Sequence, residues 1–180
     1  MSALAAEIVA TAARRGVTIA IAESLTGGAV LAALVDVPGA SAVLRGGVVA
    51  YATELKHTLL DVPAGLLAAR GAVDPDVAEA MALGVLRRTG ADLAVATTGV
   101  AGPDPQDGQS VGLVYIGIAS TVGGPRSLSD PRSLSERSET KGRLPVLDSA
   151  MHRFEGDRAG IRAAAGRAAL EALRDALAAA

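Results

Sequence analysis

Three short runs dominated by apolar and β-branched residues, Val17–Ala22, Val43–Tyr51 and Leu93–Thr97, are separated by stretches that carry helix start and stop signals. Runs of this length, apolar at successive rather than alternate positions, predict strands covered on both faces. Such strands need helices above and below them. The chain is therefore predicted to form an α/β fold, a single three-layer α/β/α domain over residues 1–180 with a largely parallel or mixed sheet. Ligands of such sheets bind at the ends of the strands.

The helical signals are local ones. Ser2 can cap a helix that runs to Arg15 and stops at Gly16, and a second helix begins over Ala29–Leu34. Thr53 can cap a segment holding Glu54, Leu55, Lys56 and His57. Asp74 precedes Pro75 at the head of a helix whose Val77, Met81 and Val85 mark a buried face, with Gly90 after its end. A fourth strand is predicted over Val111–Ala119 and a last one between Leu144 and Phe154. Asp157 then caps a C-terminal helix with Leu170, Leu173 and Leu177 on one stripe and Arg167, Glu171, Arg174 and Asp175 on another. Residues 122–143 are polar and nearly repeat themselves, which predicts a mobile surface insertion.

Composition removes several function classes. The 180 residues, half of them hydrophobic, suffice for one core. A net charge of -2 gives no field favouring nucleic acid or an anionic membrane, and the absence of tryptophan, with aromatics at 2%, removes stacking platforms for single strands. The absence of cysteine excludes disulfides, thiolate metal sites and a cysteine nucleophile, and two histidines far apart do not suggest a metal. The first sixteen residues carry Glu7 and a late Arg14-Arg15 pair, unlike a signal peptide, so a cytoplasmic location is expected. Lys56 and Lys141 are the only lysines beside fifteen arginines.

Ser24 lies at a strand-to-helix junction, where a hydroxyl is exposed and neighbouring N–H groups and the helix dipole can stabilise an oxyanion. By position alone a serine there is first of all a helix cap. Ala22 and Thr26 replace the glycines of the G-x-S-x-G elbow, so the α/β-hydrolase class is not supported. Gly27-Gly28 would let a backbone approach a phosphate or carbonyl, though a plain turn reads equally well. The turn-rich loop Gly99–Gly108 is a candidate wall of a pocket. Ser138–Lys141 matches S-x-x-K but lacks the helix that this motif needs. His57 follows Lys56 directly and reads as a solvated surface residue rather than a base for Ser24.

Six blocks occur in order: Ala22-Glu23-Ser24-Leu25-Thr26-Gly27-Gly28, Gly46–Tyr51, Lys56-His57, Gly71-Ala72-Val73, Thr98–Pro103 and Gly156-Asp157-Arg158. Together they resemble the CinA C-terminal domain family. The resemblance implies nicotinamide-nucleotide amidase activity, hydrolysing nicotinamide mononucleotide to nicotinate mononucleotide and ammonia by a serine–lysine mechanism with no metal and no organic cofactor. It implies Ser24 as nucleophile, Lys56 as general base and Tyr51 as a nearby hydroxyl that orients or relays a proton. Substrate-binding roles fall on Thr26, Gly27, Gly28, Thr98, Gly99, Gly102 and Arg158, with Arg158 a partner for the phosphate. The expected partners are the small nucleotide substrate and further copies of the chain in a homo-oligomer, a dimer first, with no nucleic acid and no membrane.

Lysine can serve as a base only if burial lowers its pKa toward neutrality, which arginine cannot match. Ser110 stands where the family usually has proline, residues 122–143 make a longer segment than expected, and in two-domain relatives this module follows a larger domain. A non-catalytic nucleotide-binding or assembly module, and an amidase for another small amide, are the alternative readings.

Overall fold

In the computed structural model, which describes residues 2–122 and 145–179, five strands form one mixed sheet. The strands are β1 (Ile19–Glu23), β2 (Leu44–Val49), β3 (Leu93–Gly99), β4 (Leu113–Ser120) and β5 (Val146–Arg153). Their order across the sheet is β2-β1-β3-β4-β5; β1 runs parallel to β2 and β3, while β4 and β5 pair antiparallel. Six α-helices accompany them: α1 (Ser2–Arg15), α2 (Ala29–Val35), α3 (Thr53–Leu60), α4 (Ala64–Arg70), α5 (Pro75–Thr89) and α6 (Arg158–Ala179).

Alternation along β1 sends Ile19 and Ile21 into a core shared with α1, α2 and α6, and Ala20 and Ala22 into one shared with α3 and α5. The same division runs through β3, with Leu93 and Val95 on the first face and Ala94 and Ala96 on the second. These are the three layers expected. One face carries large side chains and the other alanines, so α5 approaches the sheet closely. Gly117 of β4 lies directly under that helix, where a Cβ would collide with the backbone of Ala78 and Glu79.

The caps at Asp74 and Asp157 form as expected: Asp74 accepts from Asp76 N–H and Asp157 from Gly160 N–H, both at 2.8 Å. Leu170, Leu173 and Leu177 are wholly buried, and Arg167–Glu171 and Arg174–Asp175 pair on the outer side of α6. Ser2 and Thr53 differ from expectation, since each lies within its helix, and Ala52 occupies the cap position of α3 with no side-chain hydrogen bond. The seven-residue α4 and a 3₁₀ turn at Ala40–Ala42 carried no sequence signal strong enough to foresee, being under two turns long. β1 begins at Ile19 rather than Val17 and continues through Glu23. The expected insertion at 122–143, apart from Val122, and the Ser138–Lys141 motif lie outside the described residues.

Candidate active site

β1 ends at Glu23, and Ser24 follows with its N–H donating to the Thr97 carbonyl at 3.0 Å, so the neighbouring strand β3 fixes where the serine leaves the sheet. Ser24 caps no helix. Instead, Lys56 Nζ donates to Ser24 Oγ at 3.1 Å and to the Ala50 carbonyl at 3.0 Å. Lys56 comes from the inner face of α3 and is only 1% exposed. Burial pushes its pKa down from 10.5 to about 8, against the opposing pull of the Asp107 and Glu54 charges. His57 is exposed on the next position of the helix, and its Nδ1 bonds the Val62 carbonyl. It does not approach Ser24 as a base would.

Ser24, Lys56 and Thr98, all buried, line a cleft together with the more exposed Tyr51, Gly102 and Arg158. The loop after β3 makes one wall, as its density of turn residues suggested, with Gly99, Val100 and Ala101 among its lining residues. Arg158 donates to the Gly102 carbonyl and to the Tyr51 hydroxyl, each at 2.6 Å. Its fork has five N–H donors, so two such bonds leave capacity for an anion. Tyr51 is 57% exposed and bonds Arg158; neither Ser24 nor Lys56 is its hydrogen-bond partner. Thr98 lines the cleft while its hydroxyl donates to the Ala72 carbonyl at 2.6 Å.

Three residues expected to contact substrate stand off the cleft lining. Thr26 is fully buried with its hydroxyl on Thr97 Oγ1 at 2.8 Å. Gly27 N–H donates to the Ser24 carbonyl at 3.0 Å, and Gly28 N–H to Glu23 Oε2 at 2.9 Å. None of the three lines the cleft. Glu23, 1% exposed, also accepts from Val30 N–H at 3.2 Å and Leu31 N–H at 2.9 Å. A buried carboxylate thus already pairs the Gly28, Val30 and Leu31 amides at the start of α2.

Glu23, Asp107 and Arg162 were not singled out by sequence. Asp107 adopts a left-handed conformation and accepts from Ala72 N–H at 3.2 Å, which ties the cleft wall to the segment Gly71-Ala72-Val73. Arg162 of α6 reaches the turn after Ser24. A residue-by-residue motif marked only Glu23 among them, as the neighbour of Ser24.

A buried amine of lowered pKa thus stands against a serine hydroxyl at the carboxyl end of two parallel strands. The model of the CinA C-terminal domain matches residues 1–139. The chain belongs to the CinA C-terminal domain family. Its fold matches a crystal structure of a CinA superfamily protein from Klebsiella pneumoniae with a TM-score of 0.81 at 30% identity, covering 98% of this chain and 97% of that one. A competence/damage inducible protein from Agrobacterium tumefaciens matches with a TM-score of 0.79 at 32% identity, covering 98% and 94%. A CinA-like protein of Frankia casuarinae is 56% identical over 110 residues, which are 61% of this chain and 25% of that protein. A CinA-like protein of Geobacter sulfurreducens is 50% identical over 110 residues, with 61% and 27% covered. The chain thus spans about a quarter of the length of the curated relatives it matches. No helix among the described residues is long and apolar enough to cross a membrane.

Proposed function

We propose that this member of the CinA C-terminal domain family is an amidohydrolase that converts nicotinamide mononucleotide to nicotinate mononucleotide and ammonia. The observation that carries the reading is the 3.1 Å contact between Lys56 Nζ and Ser24 Oγ in a site where burial brings the amine to a pKa of about 8. At neutral pH a useful fraction of such an amine is unprotonated, whereas an exposed lysine would have almost none.

In the forward step, neutral Lys56 takes the proton of Ser24 as Oγ attacks the carboxamide carbon. The ammonium of Lys56 then returns that proton to the departing nitrogen, and ammonia leaves. A nicotinate mononucleotide ester on Ser24 remains. Water, deprotonated by Lys56, attacks the ester and restores the hydroxyl. The Ala50 carbonyl, 3.0 Å from Nζ, orients the amine through both steps. Arg158, on the rim beside Tyr51, supplies positive charge where the substrate's phosphate leaves the cleft.

The test is ammonia release from nicotinamide mononucleotide by purified protein, followed beside a Ser24→Ala control. Release that vanishes in the control supports the reading. Tight binding with no release would favour a nucleotide-binding module, and release from other carboxamides alone would reassign the substrate.

A further inference from the structure

We propose that Arg162 is a positioning residue for the amide hydrolysis proposed above: it locks the turn after Ser24 so that the Leu25 N–H stays aimed at the cleft, where negative charge forms on the substrate's carbonyl oxygen. The inference rests on the amidase reading of Ser24 and Lys56.

Arg162 lies one turn into α6 and inserts its guanidinium beneath the segment Ser24-Leu25-Thr26-Gly27. Nε donates to the Leu25 carbonyl at 2.9 Å and Nη2 to the Thr26 carbonyl at 2.8 Å. A rigid planar fork on two successive carbonyls fixes two successive peptide planes. In a trans peptide the N–H points opposite the C=O, so fixing the Thr26 carbonyl also fixes the Gly27 N–H. That N–H donates to the Ser24 carbonyl at 3.0 Å and so holds a third plane, the one between Ser24 and Leu25. The remaining group of this third plane is the Leu25 N–H, which must point away from the turn.

Leu25 lines the cleft beside Ser24 and is 4% exposed, and its N–H has no acceptor among the described residues. Buried backbone donors are almost always paired, so an unpaired one next to a nucleophile is suited to an oxyanion. Glu23 occupies the Gly28, Val30 and Leu31 amides, and of the two turn amides without an acceptor among the described residues, those of Leu25 and Thr26, only Leu25 belongs to a residue that lines the cleft. Gly27 fits the same scheme. Its φ is +63°, and a Cβ there would stand 3.2 Å from Arg162 Nη2, so a larger residue would strain the backbone and press on the guanidinium.

Nothing in this scheme has Arg162 touching substrate, so its loss should act on kcat and spare KM. With nicotinamide mononucleotide as substrate, Arg162→Lys, which keeps the charge and can reach one carbonyl, is expected to lower kcat about tenfold. Arg162→Ala is expected to lower it by about 10² to 10³, with KM within about twofold of wild type in both. Millimolar guanidinium should restore part of the Arg162→Ala rate and none of the Ser24→Ala rate. A wild-type kcat in Arg162→Lys, or a defect confined to KM, overturns the role. If Arg162→Ala fails to fold, the kcat and KM of Arg162→Lys decide alone. A wild-type protein that releases no ammonia defeats the amidase reading and this inference with it, whereas an active wild type with unaffected Arg162 variants defeats only this one.

Discussion

At the carboxyl ends of β1 and β3 the buried residues include the polar set Glu23, Ser24, Thr26, Thr97 and Thr98, whereas earlier along the same strands they are apolar: Ile19, Ala20, Ile21, Leu93, Ala94 and Val95. The two regions share strands, register and solvent exclusion but differ in what holds them. The apolar stretch is stabilised by close packing, and Gly117 under α5 shows how little free space it has. The polar end is stabilised by saturation: every buried side-chain polar atom among the described residues has a hydrogen-bond partner. Burial of Lys56 beside them favours its neutral form, and that costs stability while making a base.

The largest effect separating the two regions should come from Ser24→Ala, which removes one oxygen from the polar end. Turnover is expected to fall by roughly four orders of magnitude or more while the melting temperature stays within a few degrees. Retention of more than about a tenth of the rate would exclude covalent catalysis by Ser24.

Lys56 should part activity from stability more sharply. Both Lys56→Arg and Lys56→Met are expected to lose about a thousandfold or more in rate, because neither supplies an amine that titrates near neutrality. A mostly active Lys56→Arg enzyme would assign Lys56 to charge rather than to proton transfer. In the wild type the rate should rise with pH through about 8, the pKa that burial imposes on Lys56.

The sign of the stability effect follows from the same shift. The folded state holds the Lys56 proton less tightly than the unfolded chain, so the penalty is fully present below about pH 8 and disappears as pH rises toward 10.5. Lys56→Met should therefore be about 1–2 kcal/mol more stable than wild type at pH 7, after allowing for the lost bond to the Ala50 carbonyl, and the gap should close toward pH 10.5. Denaturant melts at the two pH values read this directly. A variant less stable than wild type at both would place Lys56 among the residues that support the fold.

Gly117→Ala probes the other region, and its effect should be the reverse in kind. The added methyl meets the backbone of α5, which cannot move as a side chain can, so a loss of about 2–3 kcal/mol is expected with kcat nearly normal in the folded fraction. Loss of kcat at full stability would show that α5 transmits its position to the site.

Glu23→Gln is expected to have the smallest of these effects. The amide keeps the shape and one acceptor oxygen but loses the charge and puts an N–H₂ toward the α2 amides. A loss of about 1–2 kcal/mol follows, with turnover reduced severalfold through the neighbouring Ser24. An unchanged melting midpoint would mean that the helix end is satisfied by water instead.

Much of this protein was determined by the sequence alone, through effects that act over a few residues. Apolar runs of strand length, Asp74 before Pro75, Asp157 before the last helix and the leucine stripe of α6 each depend on local dihedral preference or on one repeating period, so they can be read without the rest of the chain. The ordered motifs likewise singled out Ser24 and Lys56. What tertiary structure decided are the contacts between residues far apart in sequence: Lys56 with Ser24 at a separation of 32, Arg162 with Leu25 and Thr26 at 137 and 136, and the burial that moves the Lys56 pKa. It also decided that Glu23 fills the end of α2 and takes up the Gly28 amide, while the Gly27 amide turns to the Ser24 carbonyl. Local sequence could show that these amides exist at a helix start. Only the packed structure could show that their hydrogen bonds were already taken, because a donor's availability depends on every acceptor that the fold brings near it.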